Sequence, residues 1–288
     1  MKNENIVGLI NEKYSSFSKG QKVIADFILK EYKGAKYMTA AEVAEVTGLS
    51  EVTVVRFAYE LGFEGYPKFQ RALKDSTRKK LTTAQRLEFV SEDLKQDTLL
   101  QDVLNTDMKN MVKSLQLVNQ DNFNTIVKEI LNAKRIYILG VRSSAPLASF
   151  LGFYFNLIFS NIRLVHTTSV SEMFEQIINI EKGDVIIGVS FPRYSKRTIR
   201  ALEYAKSQGA TAIAITDSDG SPLKDVSDYT LEAVSDMTSF VDSLVAPLSV
   251  INALIIAIGI ERKKHLIDTF DKLENIWDES NVYLKEEE

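Results

Sequence analysis

The apolar positions of this chain follow two rhythms. In the first part they recur at helical spacing: Val23, Ile24, Phe27 and Ile28 share one face, and Ser18 just upstream suits the cap of that helix. No strand-like alternation precedes Arg135. Residues 81 to about 119 continue the helical pattern with many charges and long aliphatics, as a connecting helix would. From Arg135 onward short apolar runs alternate with helical stretches. Residues 135–140, 184–190 and 211–216 are continuous apolar runs, the pattern of strands covered on both faces, and 162–166 and 229–231 are shorter strand candidates. Helical patterns over 147–159 and 198–208 separate them, which predicts right-handed crossovers and a parallel sheet. The expected architecture is an all-α domain over residues 1–80, a linker helix over 81–105, and a three-layer α/β domain with a parallel sheet over 106–288. Its last helices, near 243–262 and 267–284, are expected to pack on the sheet or on a partner subunit.

Composition narrows the function classes. A chain of 288 residues with 45% hydrophobic and 26% charged residues has the material for two packed domains. It contains no cysteine, which excludes disulfides, thiolate metal sites and cysteine nucleophiles. The two histidines, His166 and His265, lack metal-ligand spacing and are read as structural, so neither a metal nor another cofactor is expected. The apolar stretch 244–260 is interrupted by Pro247, Ser249 and Asn252 and is shorter than a bilayer span, so a buried helix is expected rather than a membrane segment. Residues 1–11 lack the apolar core of a signal peptide, which makes the cytoplasm the expected compartment. The net charge of −4 conceals a division: residues 1–80 hold 14 Lys and Arg against 10 Asp and Glu, a net of +4, and the remainder is net −8. Any polyanionic partner therefore belongs to the N-terminal part.

The sharpest local signal runs from Met38 to Phe63. Thr39 can cap one helix, Gly48 frees the backbone for a tight turn, and Ser50 can cap a second helix. Ala44 is small where two helices must cross, and Val43, Leu49, Val54, Val55 and Leu61 supply apolar contacts. This is helix-turn-helix grammar, with the second helix placed to enter a DNA major groove. Ser50, Glu51, Thr53 and Arg56 are its expected exposed positions: Arg56 can pair with guanine or phosphate, and Ser50 and Thr53 can donate to phosphates. Thr39 at the start of the first helix, with Lys68 and Arg71 downstream, completes the expected DNA-contacting set. Lys74, Arg78, Lys79 and Lys80 can touch the backbone as well.

Phe17-Ser18-Lys19-Gly20-Gln21, the turn around Gly48, Val54-Val55-Arg56-Phe57 and Leu61-Gly62-Phe63-Glu64-Gly65-Tyr66 together resemble the N-terminal domain of RpiR/MurR-type regulators across nearly all of residues 1–80. That resemblance implies a transcription factor acting as a homodimer or homotetramer on an inverted-repeat double-stranded operator.

In the second half, three strand ends deliver small hydroxyl residues to one edge of the expected sheet: Ser143 and Ser144, Ser190 and Ser195, and Thr216 with Ser218. In open α/β sheets the carboxyl ends of the strands form the ligand crevice, where helix N-termini favour anions. A small anionic metabolite is therefore the expected ligand. Helix capping alone also explains one serine at each place. This half, over roughly 106–260, resembles the SIS sugar-isomerase fold that the same regulators carry, which implies a sugar phosphate as ligand and control of carbohydrate metabolism. The family loop Ser-x-Ser-Gly-x-Thr is matched by Ser190-Phe191-Pro192-Arg193-Tyr194-Ser195, so Pro192 stands in place of a hydroxyl and Arg193 in place of glycine. Arg193 can supply a planar donor for phosphate or carboxylate. Glu172 sits where the family often places a carboxylate near sugar hydroxyls, and equally suits a helix start.

The alternative from another class is a sugar-phosphate isomerase or etherase of the same fold. That chemistry needs a general base, and Glu172, Glu175 and His166 show no convincing pair spacing. The expected function is therefore DNA-binding transcriptional regulation without catalysis.

Overall fold

The computed structural model describes residues 6–80, 97–166, 169–236 and 241–283, and divides the chain into two compact units, Met1–Leu94 and Lys95–Glu288. The sequence segment 81–96, read as the start of the connecting helix, lies outside the described residues.

The first unit is helical: α1 (Ile6–Lys13), α2 (Lys19–Lys30), α3 (Tyr32–Ala35), α4 (Ala40–Thr47), α5 (Glu51–Glu60) and α6 (Tyr66–Lys80). Ser18 starts α2 as expected, and does so through a capping box: its side chain accepts from the Gln21 amide while the Gln21 side chain accepts from the Ser18 amide. The helices converge on an aromatic cluster. Phe57 on α5 lies with its ring centroid 5.2 Å from that of Phe17 and 5.8 Å from that of Phe69, and Phe63 and Tyr66 close on Phe69 at 5.5 and 5.8 Å. Ile24, Ile28, Val43 and Val54 pack around it fully buried.

The second unit begins with α7 (Leu99–Leu117) and α8 (Gln120–Leu131) and then alternates: β1 (Ile136–Gly140), α9 (Ala145–Ile158), β2 (Ile162–Val165), α10 (Val170–Ile177), β3 (Val185–Val189), α11 (Lys196–Ser207), β4 (Thr211–Thr216), α12 (Pro222–Asp225) and β5 (Tyr229–Glu232). Two helices follow, α13 (Val245–Glu261) and α14 (Lys263–Glu279). The five strands form one sheet of order β2-β1-β3-β4-β5, parallel at every pairing. All five expected strands are present, and each expected helix between them is found within a few residues of its predicted ends.

Alternate side chains of β1, β2, β3 and β4 enter two separate cores. Ile136 and Ile138 face α8, α9 and α13, whereas Tyr137 and Leu139 face α10 and α11. This is the three-layer arrangement, and it explains the unbroken apolar strands. Residues 99–105, assigned by sequence to the linker, form the first turns of α7. Later turns of that helix are tied to the sheet domain: Ser114 Oγ accepts from the Val234 amide at 2.8 Å, and Asn110 Nδ2 donates to the Asp236 carbonyl at 3.1 Å. Helix α13 buries Ile251, Leu254 and Ile258 against the sheet. Among the described residues no single helix is long and apolar enough to cross a membrane. Helix α14 starts four residues before the sequence pattern suggested, because the charged run Glu261-Arg262-Lys263-Lys264 carries no apolar signal at the 98° bend between the two helices.

Candidate functional site

Local sequence builds the helix pair around Gly48. Thr39 and Glu42 form a capping box at the start of α4: the Glu42 amide donates to Thr39 Oγ1 at 3.2 Å, and the Thr39 amide donates to Glu42 Oε2 at 2.6 Å. These hydrogen bonds hold the Glu42 carboxyl below its usual range. Because Thr39 Oγ1 also donates to Glu42 at 2.9 Å, its hydroxyl is engaged in the cap. Gly48 ends the helix at φ +68°, the left-handed position where glycine carries no penalty, and the Leu49 amide closes the turn on the Ala44 carbonyl at 2.9 Å. Ser50 then caps α5 by accepting from the Thr53 amide, and its hydroxyl lies 2.8 Å from that of Thr53.

Helix α5 turns Val54, Phe57 and Ala58 into the core. Its opposite face carries Arg56 in solvent, with Glu51 exposed at the first turn and Thr53 half-buried beside it. The same face holds two residues that sequence reasoning passed over, Val52 and Tyr59, each 59% exposed. The signal was available: they are large apolar residues that the 3.6-residue period keeps out of the core, and such groups serve for contact with thymine methyls or sugar edges. Lys68, near the start of α6, is exposed and pairs with Glu64, and Arg71 is exposed one turn on. The side chains of Lys74, Arg78, Lys79 and Lys80 lie outside the described residues.

The second constellation forms at the carboxyl ends of β1, β3 and β4, three adjacent strands, so the three hydroxyl-bearing turns do share one edge of the sheet. After β1, Gly140 permits a close pass: a Cβ there would lie 2.4 Å from the Ser144 carbonyl oxygen and 2.8 Å from Ala148 Cβ. The chain then makes a 3-10 turn over Arg142–Ser144 and enters α9. Ser143 is exposed; Ser144 is 5% exposed, and its side chain makes no capping hydrogen bond. After β3, the buried Ser190 Oγ accepts from the Ser195 amide at 3.0 Å, and Ser195 Oγ caps α11 by accepting from the amides of Arg197 and Thr198. Thr216, the last residue of β4, is buried and its hydroxyl lies 2.8 Å from Ser221 Oγ, which makes it a brace for the turn that follows. Glu172 is exposed in the first turn of α10, where its amide donates to the Ser169 cap.

Arg193, expected from the sequence, and three further residues join this edge. Arg142 lies between β1 and α9 at φ +58°, and Arg193 sits at φ +59° in the turn after β3. Each such backbone costs a non-glycine residue about 1–2 kcal/mol. Both side chains are exposed. Tyr194 donates its phenol to Asp217 Oδ1 at 2.7 Å, bracing the turn after β3 against the end of β4; burial and the Asp217 charge push its pKa well above the ordinary tyrosine range. The buried Thr198, in the first turn of α11, has an Oγ1 with no hydrogen-bond partner among the described residues. No periodicity marks any of these four, because turn geometry and tertiary pairing place them. A cavity of about 720 Å³ opens elsewhere, along β5 between Asn119, Phe123, Lys224, Tyr229 and Glu232, and includes none of the ligand-contacting residues expected from the sequence. Among the described residues no group of His, Cys, Asp and Glu could hold a metal ion.

This geometry agrees with two family models: a helix-turn-helix domain of the rpiR family matches residues 4–80, and a SIS domain matches residues 129–257. The chain belongs to the RpiR family of transcriptional regulators. Relatives of this RpiR protein include an uncharacterized HTH-type transcriptional regulator of Haemophilus influenzae, 28% identical over 80% of each chain. Another, from Caldanaerobacter subterraneus subsp. tengcongensis, is 26% identical over 94% of this chain and 95% of the relative. Among solved structures, the sugar isomerase domain of an RpiR transcription factor from Sphaerobacter thermophilus aligns with a TM-score of 0.58 and 24% identity, covering 62% of this chain and 99% of that one. The Vibrio vulnificus NanR protein complexed with ManNAc-6P aligns over 98% of this chain and 100% of that one, with a TM-score of 0.58 and 20% identity. These likenesses support the RpiR fold in both units.

Proposed function

We propose that this RpiR regulator binds an operator through α5 and responds to a sugar phosphate held at the carboxyl edge of its sheet. The observation that carries the reading is the separation of two chemistries onto two compact units: an exposed helix face bearing Arg56, Val52 and Tyr59, with the half-buried Thr53 at its edge, in one, and a hydroxyl-lined strand edge facing helix starts in the other. Glu51, Ser50, Lys68, Arg71 and the capping Thr39 flank the DNA-reading face. Ser143, Ser144, Ser190, Arg193, Ser195 and Glu172 flank the ligand, with Thr216 bracing the turn behind them. The ligand of the NanR structure, a sugar 6-phosphate, supports the ligand class.

A symmetric oligomer, a homodimer or homotetramer, presents two recognition helices to an inverted repeat. A ligand changes operator affinity only by binding one spacing of those helices more tightly than another. Catalysis is the less supported reading, since Glu172 and Glu175 stand on the exposed side of α10 and Glu175 accepts from Ser171. The regulator acts in the cytoplasm, where operator DNA and sugar phosphates meet.

Two experiments test this. DNA selected by the wild-type chain from a randomised pool should bind Arg56→Ala about 10- to 100-fold more weakly in gel shift, with non-specific binding retained; unchanged sequence preference removes Arg56 from the reading face. For the sensor, Ser144→Ala should abolish the thermal stabilisation that N-acetylmannosamine 6-phosphate or another sugar 6-phosphate confers, with little change in the melting temperature of the free protein. A full ligand response in Ser144→Ala would move the site away from the turn after β1.

A further inference from the structure

We propose that Arg142 and Arg193 act as a pair of anion-gripping arms that select, within the sugar-phosphate class, ligands carrying a second anionic group, a carboxylate or a second phosphate. The inference rests on the reading of the strand edge as the ligand site and extends it to ligand class.

Backbone conformation supplies the first argument. Among the described residues only Arg142, Arg193 and Asn281 have a positive φ without being glycine. Asparagine tolerates the left-handed region through local hydrogen bonding, and Asn281 lies just past the end of α14, where that conformation is ordinary. Arginine has no comparable preference for that region. Two arginines held this way indicate that the long cationic side chain is needed where it stands and that the surrounding turn imposes the backbone.

Topology supplies the second argument. Strands β1 and β3 are parallel neighbours with Gly140 opposite Val189, so the turns that carry the two arginines leave the same end of adjacent strands, whose backbones run about 4.8 Å apart. Each belongs to a turn with the same parts: an arginine in the left-handed region, a serine within two residues, and a helix beginning immediately after. The turn after β3 contains Arg193, Ser195 and the start of α11, and the turn after β1 contains Arg142, Ser143, Ser144 and the start of α9. A single phosphate needs one such set of amides, hydroxyl and guanidinium. Two sets side by side suit a ligand with two anionic ends. The nearby Asp217 accepts from Tyr194 and Ser218.

The test is titration calorimetry on the full-length chain with glucose 6-phosphate and N-acetylmannosamine 6-phosphate as singly phosphorylated probes, and 6-phosphogluconate and fructose 1,6-bisphosphate as doubly anionic ones. The wild type is expected to bind a doubly anionic probe about tenfold or more tightly than either monophosphate, the increment of one charged hydrogen-bonded group. Whether 6-phosphogluconate or the bisphosphate gains identifies the second group. Arg142→Gly and Arg193→Gly should each collapse that ratio toward one, while the free protein melts at the same or a higher temperature, because glycine adopts the left-handed turn without cost. A wild-type ratio near one, a ratio that survives both substitutions, or variants that lose stability would overturn the proposal while the sugar-phosphate reading stands. If none of the four probes binds at millimolar concentration, that reading fails and takes the proposal with it.

Discussion

Replacing Phe57 by alanine is expected to cost the N-terminal unit about 3–5 kcal/mol and to abolish operator binding. Phe57 is fully buried, and its ring bridges Phe17 and Phe69, so truncation leaves a void lined by side chains from α5, α6 and the turn before α2. A helical unit of this size has only a few kcal/mol to lose. Nothing in the change touches the exposed side of α5, proposed above to face DNA, where Arg56, Val52 and Tyr59 stand. Calorimetry should show the melting transition of the helical unit displaced downward or missing, with that of the sheet unit retained together with its response to sugar phosphate. Gel shift should show specific binding lost at any accessible concentration. Unaltered melting with normal binding would mean that the aromatic cluster is not the centre of this domain.

Gly140→Ala should inactivate the sensor. The added methyl would meet the Ser144 carbonyl oxygen at 2.4 Å and Ala148 Cβ at 2.8 Å, distances that backbone atoms must move to relieve. Overpacking of this kind costs about 1–3 kcal/mol. The movement also displaces the turn that carries Arg142, Ser143 and Ser144, so the loss of ligand binding should exceed what the stability change explains. Thermal shift with and without sugar phosphate separates the two: a lowered melting temperature with no ligand increment is expected. Gly34→Ala, where an added Cβ meets nothing within 4 Å, should leave both quantities near wild type. A Gly140→Ala protein that still gained full stabilisation from ligand would show that the end of β1 does not form the site.

Much of the fold was legible because its signals are short-range. Thr39, Gly48 and Ser50 act on amides within a few residues of themselves, and the structure has them capping and turning as the sequence suggests. The strands were legible for a different reason: a sheet covered on both faces demands uninterrupted apolar runs, and few other structures tolerate them. The site was legible in outline only. Ser143 and Ser144 are equivalent in sequence, yet the tight pass at Gly140 leaves one in solvent and buries the other. The sequence offers Ser195 and Thr216 as free hydroxyls at strand ends, whereas the structure engages both in bracing helix starts and turns.

What the sequence determined by itself, then, is the order of domains, the helix-turn-helix grammar and the placement of the strands, since propensity, capping and burial periodicity are written residue by residue. The tertiary structure alone decided which residues meet at the strand edge. Arg142 and Arg193 stand 51 positions apart along the chain, and Tyr194 reaches Asp217 from the turn after a neighbouring strand. Only the parallel register of β1, β3 and β4 brings those turns side by side, and backbone angles such as φ +58° at an arginine are imposed by packing around the turn against the residue's own preference.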